Sequence, residues 1–191
     1  MPKRRWLSVI GLFLAGAIIG AGALIASVEV NRHTDTDAFC TSCHSMAQIA
    51  ADPHFRQSKH RSSADGVRPS CGDCHIPKTN WFVETYAHVA GGIKDTIAEY
   101  TNDFGNPAKW KARRKELAHY VRDEMRRQDS MTCRTCHDAN AVKPVSERGR
   151  AAHALLQERK LTCIDCHFNL VHAPVPPSLE FLRGSNIGGA K

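Results

Sequence analysis

No stretch of this 191-residue chain reads as a β-strand, which excludes sheet-built folds and leaves a mainly α protein with much irregular structure and little or no β. No cysteine is left over: all eight fall into four equally spaced pairs, which excludes an incidental scatter of thiols. No charge interrupts the 23 residues from Trp6 to Val28. Charge is plentiful elsewhere, at 24% Asp, Glu, Lys and Arg, and with 42% hydrophobic residues this excludes wholesale disorder. Lys and Arg outnumber Asp and Glu by 26 to 19, a net +7 with His neutral, and histidine is abundant at 11 residues. An ordinary cytosolic enzyme with a plain aliphatic core is excluded. A metalloprotein, a secreted disulfide protein and a membrane-anchored module remain.

As a helix, the uncharged run spans roughly 34 Å, enough to cross a hydrocarbon core. Lys3, Arg4 and Arg5 precede it, and Glu29 and Arg32 follow. The positive-inside rule then keeps residues 1–5 in the cytoplasm as a short stub, with 6–29 as a transmembrane anchor and the remainder on the far side. A cleaved signal sequence is the competing reading. The run exceeds the usual apolar region of such signals, and Ala23–Ser27 makes a poor cleavage site.

The cysteine pairs are copies of one motif: Cys40-Thr-Ser-Cys43-His44, Cys71-Gly-Asp-Cys74-His75, Cys133-Arg-Thr-Cys136-His137 and Cys163-Ile-Asp-Cys166-His167. C-x-x-C-H attaches c-type haem: two thiols add across the vinyl groups, and the adjacent His becomes an axial iron ligand. Zinc ribbons use C-x-x-C without requiring the following His. A disulfide across C-x-x-C closes a very small loop and adds little stability. The pattern therefore predicts four covalent haems, attached through these eight cysteines, with His44, His75, His137 and His167 on iron.

The first cysteines are spaced 31, 62 and 30 residues apart, which suggests a duplicated two-haem unit. The modules run about 36–105 and 106–172 within a haem domain of 30–175. So little polypeptide per haem predicts that porphyrin supplies much of the core. Residues 81–100 and 108–128 read as helices. The first carries an apolar stripe at Phe82, Tyr86, Val89, Ile93, Ile97 and Tyr100, and the second carries Trp110, Leu117, Val121 and Met125. The proline-rich end, 176–191, reads as a flexible tail.

Second axial ligands come from the remaining His or from Met. His60, His153 and His172 sit at fixed offsets from haem motifs, whereas His33, His54 and His119 read as ordinary surface residues. Met46 lies two residues past His44, placed either to bind iron or to pack on the porphyrin. Glu84, His88 and Asp95 share one helix face, opposite the apolar stripe and with Gly91 between the last two. Two acids, an imidazole and a bare backbone patch suit proton removal from a hydroquinone; a solvated helix face is the plain alternative. The basic excess pairs with haem propionates, and a nucleic-acid partner is excluded by the compartment.

The single anchor, Phe39-Cys-Thr-Ser-Cys-His-Ser-Met46, Ser58-Lys-His60, Gly66-Val-Arg-Pro-Ser-Cys-Gly-Asp-Cys-His-Ile-Pro77, and Cys163-Ile-Asp-Cys-His167 followed by His172 resemble the NapC/NirT family of membrane-anchored tetrahaem quinol dehydrogenases. The resemblance implies oxidation of menaquinol or ubiquinol at the inner (cytoplasmic) membrane, with the haem domain in the periplasm. Electrons would pass to a periplasmic reductase complex of nitrate or nitrite type. It implies Met46 as proximal ligand of haem 1 and Asp95, with His88 nearby, at the quinol site. It further implies His60 and His172 as distal ligands in the second module, and His153 as distal ligand of haem 2. Should Met46 not bind iron, His44 would, and His172 would be free to serve haem 1. Lys78 stands where many relatives carry His, and a propionate is one partner for it. The competing function classes are a pure electron relay without a quinol site and a multihaem reductase with an open iron.

Overall fold

The computed structural model describes residues 3–185. These form eleven helices and, among the described residues, no strand: α1 (Lys3–Thr34), α2 (Asp37–Cys40), α3 (His44–Ala51), α4 (Pro53–Gln57), α5 (Cys71–His75), α6 (Trp81–Thr101), α7 (Pro107–Arg127), α8 (Met131–Arg134), α9 (Glu147–Arg159), α10 (Cys163–Cys166) and α11 (Leu179–Gly184). The mainly α expectation holds.

Helix α1 is long and apolar enough to cross a membrane, and Arg5–Ala26 are exposed without exception. It runs past the expected end at residue 29. The Arg32 guanidinium meets the Glu29 carboxylate at 3.1 Å, Thr34 back-bonds to Val30 O and Asn31 O, and cationic groups in the last turn suit the helix dipole. At this end Asn31 is nearly buried and donates to Thr85 Oγ1 at 2.8 Å, which fixes the start of α6 to the exit of α1.

Helices α6 and α7 match the periodic stretches, each with an Asn N-cap and α7 with proline in its first turn. Helix α9 has no apolar stripe and escapes a periodicity search. On α6 the orientation is reversed relative to a simple amphipathic reading. Phe82, Tyr86, Val89, Ile93, Ile97 and Tyr100 are all exposed, while His88 and Glu99 on the polar face turn inward.

The cysteine motifs fold as single helical turns. In α5 and α10 the residue before the second cysteine is Asp, and it closes a capping box with Ser70 or Thr162. The second and fourth motifs thus start in the same way. Asp37 accepts the Cys71 N–H and the Arg61 guanidinium; at the equivalent place Ser130 Oγ accepts the Ile164 N–H.

The 176–191 segment departs from the flexible reading. Ser178 caps α11, Phe181 is 1% exposed, and Ser185 is buried. The cause is the basic face of α7. Arg114 donates to Ala173 O, His119 to Pro176 O, Arg122 to Val175 O and Pro176 O, and Arg126 to Phe181 O, so donors on one helix satisfy carbonyls of a segment that cannot pair with itself. Arg126 also stacks over Phe181 and pairs with buried Asp165 at 2.6 Å. Part of the basic excess thus fastens the chain rather than propionates. Residues 186–191 lie outside the described residues.

Phe181→Ala is expected to cost about 3–5 kcal/mol. Leu179→Ala, on the exposed side of the same helix, is expected to stay within about 0.5 kcal/mol. Thermal melts of the haem-loaded protein check the contrast, and equal losses would contradict it.

Candidate redox site

Three pairs of imidazole rings face one another. His60 and His137 have centroids 6.1 Å apart, His75 and His172 6.1 Å, and His153 and His167 6.2 Å. Metal–imidazole bonds are about 2 Å, so two imidazoles on opposite sides of one iron stand ~6.3 Å apart. The donor set and spacing fit bis-imidazole haem at three motifs. The core fits as well: among the described residues the buried hydrophobic side chains are only Phe55, Phe104, Trp110, Leu161, Ile164, Val175 and Phe181. Porphyrin would supply the missing apolar interior.

These pairings revise two expectations. His172 faces His75 of the first module rather than a second-module haem. It stacks on Phe55 at 5.7 Å, and its neighbour Ala173 is held by Arg114. Its place beside His75 also removes it from service at haem 1. His153 faces His167 of its own module rather than haem 2, because Lys160, with φ 51°, turns the chain from the end of α9 directly into the motif. His60 does reach across to the second module. Burial lowers the His172 pKa to about 4, with His75 and Arg114 adding to the effect, and a neutral ring is what a ligand needs.

Among the described residues His44 has no ring opposite it. Its Nδ1 lies 3.8 Å from Glu99, whose carboxylate also accepts the Ser45 N–H at 2.9 Å and hydroxyl at 2.6 Å. Met46, half-buried, follows on the first turn of α3. Haem motif 1 is therefore pinned to the inner face of α6.

The motifs follow one another in space as they do in sequence. None of the eight cysteines closes a disulfide. Asp37, just before the first motif, accepts the Cys71 N–H of the second, Ser130, just before the third, accepts the Ile164 N–H of the fourth, and α5 packs on α8 between the two pairs.

The three α6 residues do not converge. Glu84 and Asp95 are separated by roughly 16 Å of helix. Glu84 lines a cavity of about 380 Å³ with Val28, Asn31, Arg32 and Trp81. His88 is buried: its Nδ1–H donates to Glu84 O at 3.0 Å, and its Nε2 lies 3.9 Å from Asp35 Oδ1. Both of those last atoms are buried without a hydrogen-bond partner. Asp95 is exposed and stands one helical turn before Glu99 on the same face; the partial burial of its carboxyl lifts its pKa above the ordinary carboxylate value, with Lys94 offsetting part of the rise. Lys78 is held between Asp35 and Asp73. His54 pairs with Asp52, and His33 packs edge-on against Phe39, as surface residues.

A family model described as "NapC/NirT cytochrome c family, N-terminal region" matches residues 2–177. The chain belongs to this family. It is 39% identical over 169 residues to a probable tetraheme cytochrome c-type protein of Nitrosomonas europaea, covering 87% of this chain and 70% of that one. It is 35% identical to a putative tetraheme cytochrome of Allochromatium vinosum, covering 89% and 90%. It is 31% identical to the cytochrome c-type protein NapC of Haemophilus influenzae, covering 88% and 86%. The chain spans less than half the length of the TorY and TorC proteins it also resembles. No solved structure matches.

This NapC/NirT member is therefore an electron-transfer cytochrome with covalent haem. Sequence reasoning missed Glu99, Asp35, Asp37 and Arg61. Their spacing carries no motif, because each acts through a partner far along the chain. The Asp in Cys71-Gly-Asp-Cys74 and Cys163-Ile-Asp-Cys166, preceded by Ser or Thr, was a readable capping signal.

Replacing His60, His153 or His172 singly by Ala is expected to turn one haem in the protein from low to high spin. The triple variant should turn three and leave haem 1 as it was. Electron paramagnetic resonance of the oxidised protein reads this. A His172→Ala protein with every haem unchanged would remove that residue from the ligand set.

Proposed function

We propose that this protein oxidises quinol at the outer face of the cytoplasmic membrane and delivers the electrons through four haems to a periplasmic reductase of anaerobic respiration. In this reading α1 is an uncleaved anchor, with its basic start in the cytoplasm. His44 and Met46 are the two candidate iron ligands at haem 1. His75 with His172, His137 with His60, and His167 with His153 ligate the others. Haem iron supplies reversible one-electron chemistry.

Asp95 carries the reading. It is a carboxyl of raised pKa one turn before Glu99, which holds the first motif through Ser45, and it stands on a helix rooted where α1 ends. Oxidising a quinol releases two electrons and two protons. The Asp95 carboxylate accepts one proton. His88 is the proposed acceptor of the second: its Nδ1–H is committed to Glu84 O, and its other ring nitrogen, Nε2, lies 3.9 Å from Asp35 Oδ1. The two groups lie two helical turns apart. Between them, nothing stands within 4 Å of where a Gly91 Cβ would project, which leaves room for a flat ring. Glu84 faces the cavity at the membrane exit and is outside this pair.

The test uses the haem-loaded full chain in detergent, under anaerobic conditions, with reduced menaquinol and ubiquinol analogues. Haem absorbance should report prompt reduction, slowed about 10²–10⁴-fold in Asp95→Asn. The rate should fall as pH drops through the raised Asp95 pKa, since only the carboxylate accepts a proton, and this acid limb should vanish in the variant. No reduction by either quinol, with normal reduction by dithionite, would favour a relay fed by a separate donor.

A further inference from the structure

We propose that the outer face of α6 lies along the surface of the bilayer that α1 crosses, making a second, in-plane membrane contact. Phe82, Tyr86, Val89, Ile93, Ile97 and Tyr100 form one stripe, each between 57% and 82% exposed. Such a row is unusual on a water-facing helix and marks an interaction surface.

Haem does not account for it. The opposite face of α6 makes the connections to haem motif 1, through Glu99 to Ser45 and His44, and to the loop after α1, through His88 and Asp35. The motif that would hold the first porphyrin is fastened to that inner face, and the outer stripe stands on the opposite side of the helix.

Continuity with α1 identifies the occupant. Thr85 is bonded to Asn31, and Trp81 and Glu84 share a cavity with Val28 and Arg32. The first turn of α6 is thus fixed at the last turns of the spanning helix, at the level where the chain leaves hydrocarbon. Arg5–Ala26 are exposed throughout, so α6 does not fold back along the span. From there the stripe continues for roughly 27 Å to Tyr100. A helix rising away from the membrane would leave most of that length in water, whereas one lying in the interface buries all of it. Two tyrosines on the stripe, and a polar inner face, suit the headgroup boundary.

The haem-loaded full chain in vesicles of phosphatidylethanolamine and phosphatidylglycerol provides the test. Thioether formation consumes the eight native cysteines, so a single added cysteine is the sole site for a nitroxide label. Labels are placed by Tyr86→Cys, Val89→Cys, Ile93→Cys and Ile97→Cys, with Ile18→Cys on α1 and Val145→Cys as references in lipid and water. An unchanged haem spectrum certifies each fold. The α6 labels are expected to collide more with oxygen than with a water-soluble nickel complex, as at Ile18. Nickel access equal to that at Val145 would overturn the proposal. So would labels shielded from both, which would mean that a second copy or another protein covers the stripe. No quinol is involved, so the result is independent of the proposed reaction.

Discussion

Holding facing imidazole rings about 6 Å apart is the constraint on which the rest of this structure depends. Each ring has to be delivered to its partner, and among the described residues seven buried hydrophobic side chains are too few to fix that by packing. Polar fastenings do it instead. Asp37 clamps motif 2 beside motif 1, Ser130 clamps motif 4 beside motif 3, and Arg126 grips Asp165 under motif 4. Such groups are costly to leave unpaired once buried, so each specifies one arrangement more sharply than an aliphatic contact would.

Two of the three ring pairs cross between the duplicated halves. His60 reaches from the first module to His137, and His172 returns from the second to His75. The first half pairs neither of its motif rings by itself, and the second pairs only His167. The exchange also explains why residues 173–185 pack against α7. His172 must be delivered to a distant partner, and α7 does this by binding the carbonyls that follow it.

The attachment sites were legible because covalent chemistry demands adjacent residues. Helices α6 and α7 were legible from period. The identities of the candidate distal histidines could be read, but not which ring meets which, since that depends on the path of intervening chain: the turn at Lys160 for His153 and the Arg114 contact for His172. The end of the chain misled for a related reason. Proline and glycine report the absence of self-pairing, and they carry no information about the arginines of α7 that do the pairing. On α6 the period was right and its meaning inverted. Amphipathicity says that two faces differ, and only packing says which one is inside.

The acids show why Asp95 stands apart. Asp37 is held by Arg61, and Asp73 shares Lys78 with Asp35. Burial alone would raise Asp37 and Asp73, but their cations and backbone N–H donors outweigh it and keep both below the ordinary value. Asp95 has Lys94 next to it in sequence, yet that ammonium donates to Tyr120 Oη at 3.0 Å and sits over its ring at 4.2 Å. With its nearest cation committed elsewhere, burial prevails and the carboxyl holds a proton more readily than its neighbours do. A structural acid gains from a partner, whereas a proton acceptor needs to lack one. By that criterion Asp95, rather than the paired acids around it, is the acid that fits the proton acceptor of the proposed reaction.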